Sequence, residues 1–442
     1  MPRQKAKTDT STTDADTTMT DSNEAGPSRK RGKPAKDAPS DAKRIKVAEK
    51  EEVVVERRKI PGQVYAVGQA DVGQLGLGED FMERLRPTLV PNLDNVVDVV
   101  AGGMHTLCLT VDGKVWSFGC NDEGALGRQT DENEGTPGLV ELPEPVAKLS
   151  AGDSHSVALT VTGKVFMWGN FRDSRGQMGL IVEGQAEKKP QLVATGIVQI
   201  ASGSDHVAML TAEGNLVTRG CAEQGQLGRV AAMFTSRGGR RLSAYLLKPG
   251  TVRVQCPKGC KSSAFDRIWT GAYTTYARLQ ETGAIYGFGL NNYHQLGPSK
   301  GDTICHMPEL LGSCAGRRWE AVSGGQHHTL LLSEEGSVFS MGRKEYGRLG
   351  LGAANPPDKD DQETPAQVPG LANCTEISCG EAVSFAVDGE GRLHSWGLGT
   401  NGQLGHGNEN DLFEPKVVAG RLADRKVLVV SGGGQHTVIL AS

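Results

Sequence analysis

The chain has 442 residues, with 48 Lys and Arg against 52 Asp and Glu, and a formal net charge of −4. The charge is uneven, because residues 1–59 contain 15 basic and 11 acidic side chains, a net of +4, which leaves −8 for the remainder. An acidic body with a basic tail suggests two partners of opposite character. No apolar stretch approaches the length of a membrane span, and the polar N-terminus does not resemble a secretory signal, so we expect no membrane partner.

The nine cysteines lack the spacing of a zinc site or a disulfide framework, and the closest pair, Cys256 and Cys260, has no second pair. We therefore expect free thiols in a reducing compartment and neither a metal nor a cofactor. The sequence contains no GxxxxGK[ST] loop, so the chain should not hold a nucleotide itself.

Residues 1–59 are predicted to form a disordered basic tail, since Thr8–Ser22 is a Thr/Asp tract with almost nothing to bury. Two basic clusters about a dozen residues apart are typical of a bipartite nuclear localisation signal. Its residues are Arg29, Lys30, Arg31, Lys43, Arg44 and Lys46. We predict nuclear localisation, importin binding by this tail, and salt-dependent attraction to DNA phosphates. The alternative is a solvated, flexible tail that carries no localisation signal.

Seven copies of one marker sequence follow, each an apolar strand ending in Gly and then a loop ending in a second Gly. The copies are Val64–Gly76, Val115–Gly127, Val165–Gly179, Leu216–Gly228, Ile285–Gly297, Val338–Gly350 and Leu393–Gly405. Their last glycines are 49 to 55 residues apart, except that 69 residues separate the fourth from the fifth. Such a period indicates a repeat architecture with one large insertion.

A second pattern is an apolar strand that carries a Gly and, three residues later, often a His. The pairs are Gly102/His105, Gly152/His155, Gly203/His206, Gly271/Thr274, Gly324/His327, Gly380/Val383 and Gly433/His436. A Gly-containing turn joins most of these strands to the marker strand, and further apolar stretches bring the total to about four strands per copy. The pattern predicts an all-β fold, a seven-bladed β-propeller over residues 60–442. Recurrence of the His favours a structural role.

The two ends of the repeat predict how the ring closes. Val427–Leu440 contains a His-bearing strand with no marker strand after it, and Val64–Gly68 is a marker strand with no His-bearing strand before it. We expect the two to pair in one shared blade, which removes two exposed sheet edges. Truncation of either end should then unfold the ring.

The third copy differs from the others. Gly169 and Gly179 are ten positions apart, whereas the corresponding glycines of the other six copies are eight apart. We expect the Phe, Arg and Asp side chains of the longer loop to project past the neighbouring loops, and this loop is the first candidate for a functional site.

These residues resemble the regulator of chromosome condensation family. The resemblance covers roughly residues 60–442 and is carried by the markers, the Gly-x-x-His strands and stretches such as AGGMHTLCLT, GNFRDSRG, GLNNYHQLG and GRKEYGRLGLG. It implies a chromatin-bound guanine-nucleotide exchange factor for the small GTPase Ran, which accelerates GDP and GTP dissociation without covalent chemistry. It further implies generation of Ran-GTP around chromosomes for nuclear transport, spindle assembly and nuclear envelope formation. We expect a monomer.

The resemblance also assigns residues. The insertion in the third copy matches the family's β-wedge, and Asp153 and Asp205 are acidic where most equivalent positions are uncharged. The implied GTPase-binding set is Asp71, Asp153, Phe171, Arg172, Asp173, Ser174, Arg175, Gly176, Gln177, Met178, Asp205, Arg229, His294, His327 and His436. The long insertion matches a loop that grips the nucleosome's histone acidic patch, through Arg237, Arg240 and Arg241. The DNA-binding tail residues are Pro2, Arg3, Lys5 and Lys7.

Two other classes of function stay open. One is a chromatin-binding structural propeller without exchange activity, and the other is a propeller enzyme that uses channel histidines, for which the sequence marks no small-molecule pocket. Asp153-Ser154-His155 contains the residue types of a hydrolase triad, but adjacent residues of a strand point to opposite faces. We expect the GTPase and chromatin surfaces to lie on opposite faces of the ring and to act independently.

Overall fold

The computed structural model describes residues 53–78, 80–130, 133–235, 243–256, 259–299, 301–352 and 361–442. The predicted tail residues, from Pro2 to Lys46, therefore lie outside the described residues. In the described part of the chain, 28 of the 30 strands form seven four-stranded antiparallel sheets. The predicted seven-bladed β-propeller is confirmed. We number the blades 1 to 7 by the order of their marker strands.

The strands of the first four blades have the following bounds. Blade 1 contains β1 (Gln63–Gln69), β2 (Glu83–Leu89), β29 (Val427–Gly432) and β30 (His436–Ala441). Blade 2 contains β3 (Val96–Ala101), β4 (His105–Thr110), β5 (Val115–Gly119) and β6 (Gly138–Val140). Blade 3 contains β7 (Val146–Ala151), β8 (His155–Thr160), β9 (Val165–Gly169) and β12 (Glu187–Ala194). Blade 4 contains β13 (Ile197–Ser202), β14 (His206–Thr211), β15 (Leu216–Gly220) and β16 (Gly250–Thr251).

The remaining three blades follow in order. Blade 5 contains β17 (Phe265–Thr270), β18 (Thr274–Leu279), β19 (Ile285–Leu290) and β20 (Ile304–Leu310). Blade 6 contains β21 (Trp319–Gly324), β22 (His328–Ser333), β23 (Val338–Arg343) and β24 (Asp361–Gln367). Blade 7 contains β25 (Glu376–Cys379), β26 (Val383–Val387), β27 (Leu393–Gly397) and β28 (Leu412–Val417).

The other elements are short. A separate two-stranded sheet, β10 (Phe171–Asp173) and β11 (Gly176–Gly179), extends from blade 3. The helices are α1 (Ala232–Thr235) and α2 (Ser243–Leu246), with 3₁₀ turns at Gly312–Cys314 and Glu345–Gly347.

The distance of a strand from the central channel explains its composition. The first strand of each blade lines the central channel, with β29 in that position in blade 1. The strand next to it is packed between neighbouring blades, so all six residues of β4, of β8 and of β30 are buried. The outermost strands, such as β12 and β28, are mostly half-buried or exposed and contain Lys, Glu and Pro. The core thus lies between blades.

The ring closes as predicted. Strand β1 pairs with β30 without a break from Gln63 opposite Ala441 to Gly68 opposite His436. Blade 1 is therefore built from both ends of the described chain, and the facing edges of β1 and β30 are paired within it.

The second marker glycine allows neighbouring blades to approach each other. Gly127 has φ of 67°, and a Cβ atom there would lie 2.6 Å from Nε1 of Trp168 in the next blade. That Nε1 donates a hydrogen bond of 2.7 Å to the carbonyl of Ala125. The marker therefore combines a positive φ with a close contact that only Gly permits.

The recurring histidines are buried and join neighbouring blades. Four pairs lie at 2.8 to 2.9 Å: His105 with Ser156, His206 with Thr275, His328 with Ser384, and His436 with Thr106. Burial lowers the pKa of His105 to about 4 and that of His206 to about 3, so these rings are neutral at physiological pH. A structural role fits these contacts.

The Gly-x-x-His pair predicted for blade 6, Gly324/His327, is one residue too early. His328, three residues after Gly325, occupies the buried position at the start of β22. The two consecutive histidines made the register ambiguous. His327 instead lies in the loop that faces the channel mouth.

Residues 53–60 pack on the end of the ring opposite the marker loops. The Val55 amide donates a 3.0 Å hydrogen bond to Val161 in the β8–β9 turn, and the Val55 side chain is buried. Further along, Arg58 donates to the Leu428 carbonyl at 3.0 Å and contacts Glu376 at 3.4 Å. The compact unit comprises residues 51–442, so it begins before residue 60, where the sequence placed the boundary.

Candidate functional site

The marker loops and the loops before the His-bearing strands meet at one mouth of the channel. Backbone from all seven blades lines this mouth, much of it Gly, around an open space of about 740 Å³. The loops before the His-bearing strands hold three carboxylates, Asp153, Asp205 and Glu381. The last was not selected from the sequence, because its blade has Val383 where the pattern expects His.

These carboxylates influence one another. Asp153 is exposed at the rim of the mouth, and desolvation by the surrounding loops raises its pKa. Desolvation, followed by repulsion from Asp153, raises the pKa of Asp205 to about 7. The pKa of Glu381 is also raised, first by desolvation and then by Asp153. The channel mouth is therefore an acidic site that a cation from a partner would stabilise.

The third marker loop forms a hairpin beside this mouth. We call Phe171–Gly179 the wedge; in it Arg172 pairs with Gln177 and Asp173 with Gly176, and Ser174 and Arg175 form the turn. The side chains of Arg172, Ser174, Arg175 and Gln177 are exposed. The amide of Arg172 donates a 2.7 Å hydrogen bond to Asp205, so this predicted contact residue supports the wedge.

The expectation that the Phe side chain of this loop projects past its neighbours is wrong. Phe171 is fully buried, and Met178 is 4% exposed. Phe171 packs edge-on against His155 at 4.7 Å between ring centroids, and the Arg219 guanidinium lies 5.9 Å from the Phe171 ring. These residues form the root of the wedge, because burial of the aromatic ring offsets the entropy of ordering the hairpin.

The wedge root replaces an interblade hydrogen bond. The position that holds Ser156, Thr275 or Ser384 opposite the other histidines is Val207 opposite His155, and neither His155 ring nitrogen has a partner among the described residues. Arg219 occupies the marker position where other copies have Val, Phe, Trp or Met, and its guanidinium donates to the Leu180 carbonyl at the end of the wedge. The two departures from the repeat, Val207 opposite His155 and Arg219 in the marker strand, thus both occur beside the wedge.

Several other predicted residues have partners within the ring. His436 is fully buried in its bond to Thr106, and Nη2 of Arg229 donates to the carbonyls of Tyr245, Leu246 and Lys248, so both stabilise the fold. Their place in the GTPase-binding set stays a prediction.

The remaining predicted residues are accessible to different degrees. His294 contacts Asp361 at 2.5 Å from Nδ1 to Oδ2 and is partly exposed. His327 packs against the Tyr293 ring at 5.1 Å, and desolvation followed by repulsion from Arg348 lowers its pKa to about 4. Asp71 is exposed and accepts a hydrogen bond from Gln74. All three lie on loops of the channel-mouth face.

The flanks of the long insertion lie beside the wedge. Val230, Leu246 and Leu247 belong to the same hydrophobic cluster as Phe171 and Met178. Whether the predicted GTPase and chromatin surfaces lie on opposite faces stays a prediction, because these flanks belong to neither set. Arg237, Arg240 and Arg241 lie outside the described residues.

Asp205 gives the free energy of unfolding a specific pH dependence. Its pKa is about 7 in the folded protein against an ordinary value of 3.8, so the folded state binds the proton more tightly. The contribution of this proton binding to the free energy of unfolding is fully present below about pH 4 and is lost as the pH rises toward 7. The variant Asp205→Asn keeps an acceptor for the Arg172 amide but cannot ionise. We expect its free energy of unfolding to exceed that of the parent protein by about 1–2 kcal/mol near pH 8. Urea unfolding near pH 5 should give a smaller difference, and a difference independent of pH would contradict the assignment.

The described residues contain no group of three or more His, Cys, Asp or Glu side chains placed to hold a metal ion. In the same residues, no helix is long and apolar enough to cross a membrane.

The family model and the known proteins that match this chain indicate the same family. The model of the RCC1-like domain family matches residues 63–439. The chain is 49% identical over 388 residues to the regulator of chromosome condensation of Xenopus laevis, covering 86% of this chain and 90% of that protein. It is 27% identical over 434 residues to the guanine nucleotide exchange factor SRM1 of Saccharomyces cerevisiae, covering 86% and 87%.

Solved structures give the same fold. Prp20p from Saccharomyces cerevisiae, described with its binding properties to Gsp1p and histones, matches with a TM-score of 0.77 and 28% identity, over 88% of this chain and 93% of that one. Yeast RCC1 (Prp20) with Kap60 bound matches with a TM-score of 0.78 and 27% identity, over 92% and 96%.

Proposed function

Because the chain belongs to the regulator of chromosome condensation family, we propose that it is a guanine-nucleotide exchange factor for the small GTPase Ran. The observation that carries the proposal is the wedge, the one marker loop among the described blades that extends as a separate two-stranded sheet. The names of yeast relatives support it, since SRM1 is called an exchange factor and Prp20p is described with its binding to Gsp1p.

Exchange requires no bond to be made or broken in this chain. A propeller that binds the nucleotide-free GTPase more tightly than the loaded form must weaken nucleotide affinity by the same factor. Each tenfold loosening corresponds to about 1.4 kcal/mol of differential binding. The exposed wedge side chains and the acidic channel mouth would supply this difference by disturbing the phosphate-binding loop and Mg²⁺ site of the GTPase. Incoming nucleotide then displaces the propeller, so the nucleotide pool sets the direction.

We further propose a nuclear, chromatin-bound protein. The basic tail would bind importin and DNA, and Arg237, Arg240 and Arg241 would contact the histone acidic patch, since guanidinium groups pair bidentately with carboxylates. Histones and Kap60 appear with the yeast neighbours, which supports partners of these kinds. Exchange confined to chromatin would produce Ran-GTP around chromosomes for nuclear transport, spindle assembly and nuclear envelope formation. The alternative is a chromatin-binding structural propeller without exchange activity.

Release of fluorescent GDP from Ran tests the central proposal. With catalytic amounts of the propeller and excess unlabelled GTP, we expect release to accelerate at least a hundredfold, which corresponds to about 2.7 kcal/mol. An equilibrium titration should also give tighter binding of nucleotide-free Ran than of Ran-GDP. Unchanged release, or equal affinity for both forms, would leave only the structural alternative.

A further inference from the structure

The wedge is held on both flanks by carboxylates from the marker loops of the two neighbouring blades. Glu123, in the marker loop of blade 2, accepts a hydrogen bond of 2.6 Å from the Arg172 guanidinium and one of 2.9 Å from Asn170 Nδ2. Glu223, in the marker loop of blade 4, accepts one of 2.9 Å from the Ser174 amide and one of 2.6 Å from the Ser174 hydroxyl. The first contact fixes the ascending arm of the hairpin, and the second fixes its turn.

The hairpin needs such support. Its strands contain three and four residues, and a two-stranded ribbon of this length is unstable by itself in water. The root holds Phe171 and Met178, but burial at the root leaves the direction of the exposed turn undetermined. Contacts from the two flanking blades determine that direction, because they restrain the hairpin from opposite sides.

The two carboxylates are already engaged. Glu123 uses one oxygen for Arg172 and the other for Asn170, and Glu223 uses one for the Ser174 amide and the other for the Ser174 hydroxyl. Because all four oxygens accept hydrogen bonds from the wedge and its base, both carboxylates already act on the wedge in the free protein.

We propose that Glu123 and Glu223 are positioning residues of nucleotide exchange, which hold the wedge in the orientation that enters the GTPase. The inference rests on the proposed exchange function and names two residues that this function requires. A correctly directed hairpin binds the empty GTPase without first being ordered, so loss of either contact adds an ordering cost to that binding step.

Steady-state release of fluorescent GDP from Ran, with the full chain, tests the proposal. Removal of both carboxylates in Glu123→Ala/Glu223→Ala should lower kcat roughly tenfold or more, with KM changed less than about threefold. Glu223→Gln, which keeps an acceptor for the Ser174 amide, should retain at least about half of the activity that Glu223→Ala loses. The matched control is Glu409→Ala, an exposed carboxylate in the loop before β28, which should leave both constants unchanged.

A double-mutant cycle separates positioning from direct contact with the GTPase. In an Arg172→Ala background, Glu123→Ala should reduce kcat by less than about twofold, because its main partner is already gone. Fully additive effects would overturn the proposal, as would a Glu223→Gln variant as impaired as Glu223→Ala.

Amide hydrogen exchange of the free protein gives a readout that does not depend on activity. Exchange at Ser174 should become at least about tenfold faster in Glu123→Ala/Glu223→Ala, while β9 amides stay protected. Unchanged exchange, or a mobile wedge with unaltered kcat, would overturn the positioning role. If the parent protein itself fails to accelerate GDP release, the proposed function fails instead, which the first assay distinguishes.

Discussion

Removal of strand β30 is expected to abolish cooperative folding of the whole ring. This strand pairs with β1 on one side and β29 on the other, and all six of its residues are buried. Loss of Val438, Ile439 and Leu440 alone forfeits about 1.5–3 kcal/mol of apolar burial each, a sum comparable to the total stability of a typical domain. A chain ending at Gln435 should therefore show no cooperative thermal transition by circular dichroism and should sediment as aggregates.

A much longer truncation at the other end is the control. Residues 1–50 lie outside the compact unit that starts at Glu51. Their deletion should shift the transition temperature by no more than a few degrees, because it leaves all described strands of the seven blades in place. A soluble monomer with an unchanged transition after loss of β30 would mean that blade 1 does not close the ring.

Replacement of the wedge by an ordinary marker loop is expected to remove exchange activity and keep the fold. The donor loop is Cys120–Leu126 of blade 2, inserted between Gly169 and Gly179, because six copies close a blade with a loop of this length. We expect the maximal rate of GDP release from Ran to fall roughly a hundredfold or more, equivalent to about 2.7 kcal/mol. Fluorescent GDP release measures the rate, and circular dichroism checks the ring.

A second variant distinguishes loss of the exposed wedge side chains from damage to the core. The loop exchange also removes Phe171 and Met178, which fill the space between blades 3 and 4. Substitution of only the exposed residues Arg172, Arg175 and Gln177 by Ala leaves this root intact, so its transition temperature should stay close to that of the parent. A normal exchange rate in both variants would assign the activity to another part of the ring.

The fold could be predicted from sequence because its signals are local and repeated. Each marker contains the apolar strand and the glycines that a blade needs, as the Gly127 contact with Trp168 illustrates. Ring closure also followed, since the chain ends supply complementary halves of one blade.

The site was predicted less completely because its contacts join distant residues. The position of Phe171 in an inserted loop predicts an exposed side chain. Its ring is buried against His155 and Arg219, which come from two different blades. The register of His327 and His328 is decided by Ser384, 56 residues away in the next blade. Glu123 and Glu223 belong to loops that look ordinary in sequence, and only the ring places them on either side of the wedge.

The shared blade also has a consequence for the order of synthesis. Strand β1 is translated more than 360 residues before its partner β30, so the earliest blade on the ribosome is the last to be completed. Until then the edge of β1 that β30 covers stays unpaired, and we expect nascent chains of this protein to be prone to association during elongation.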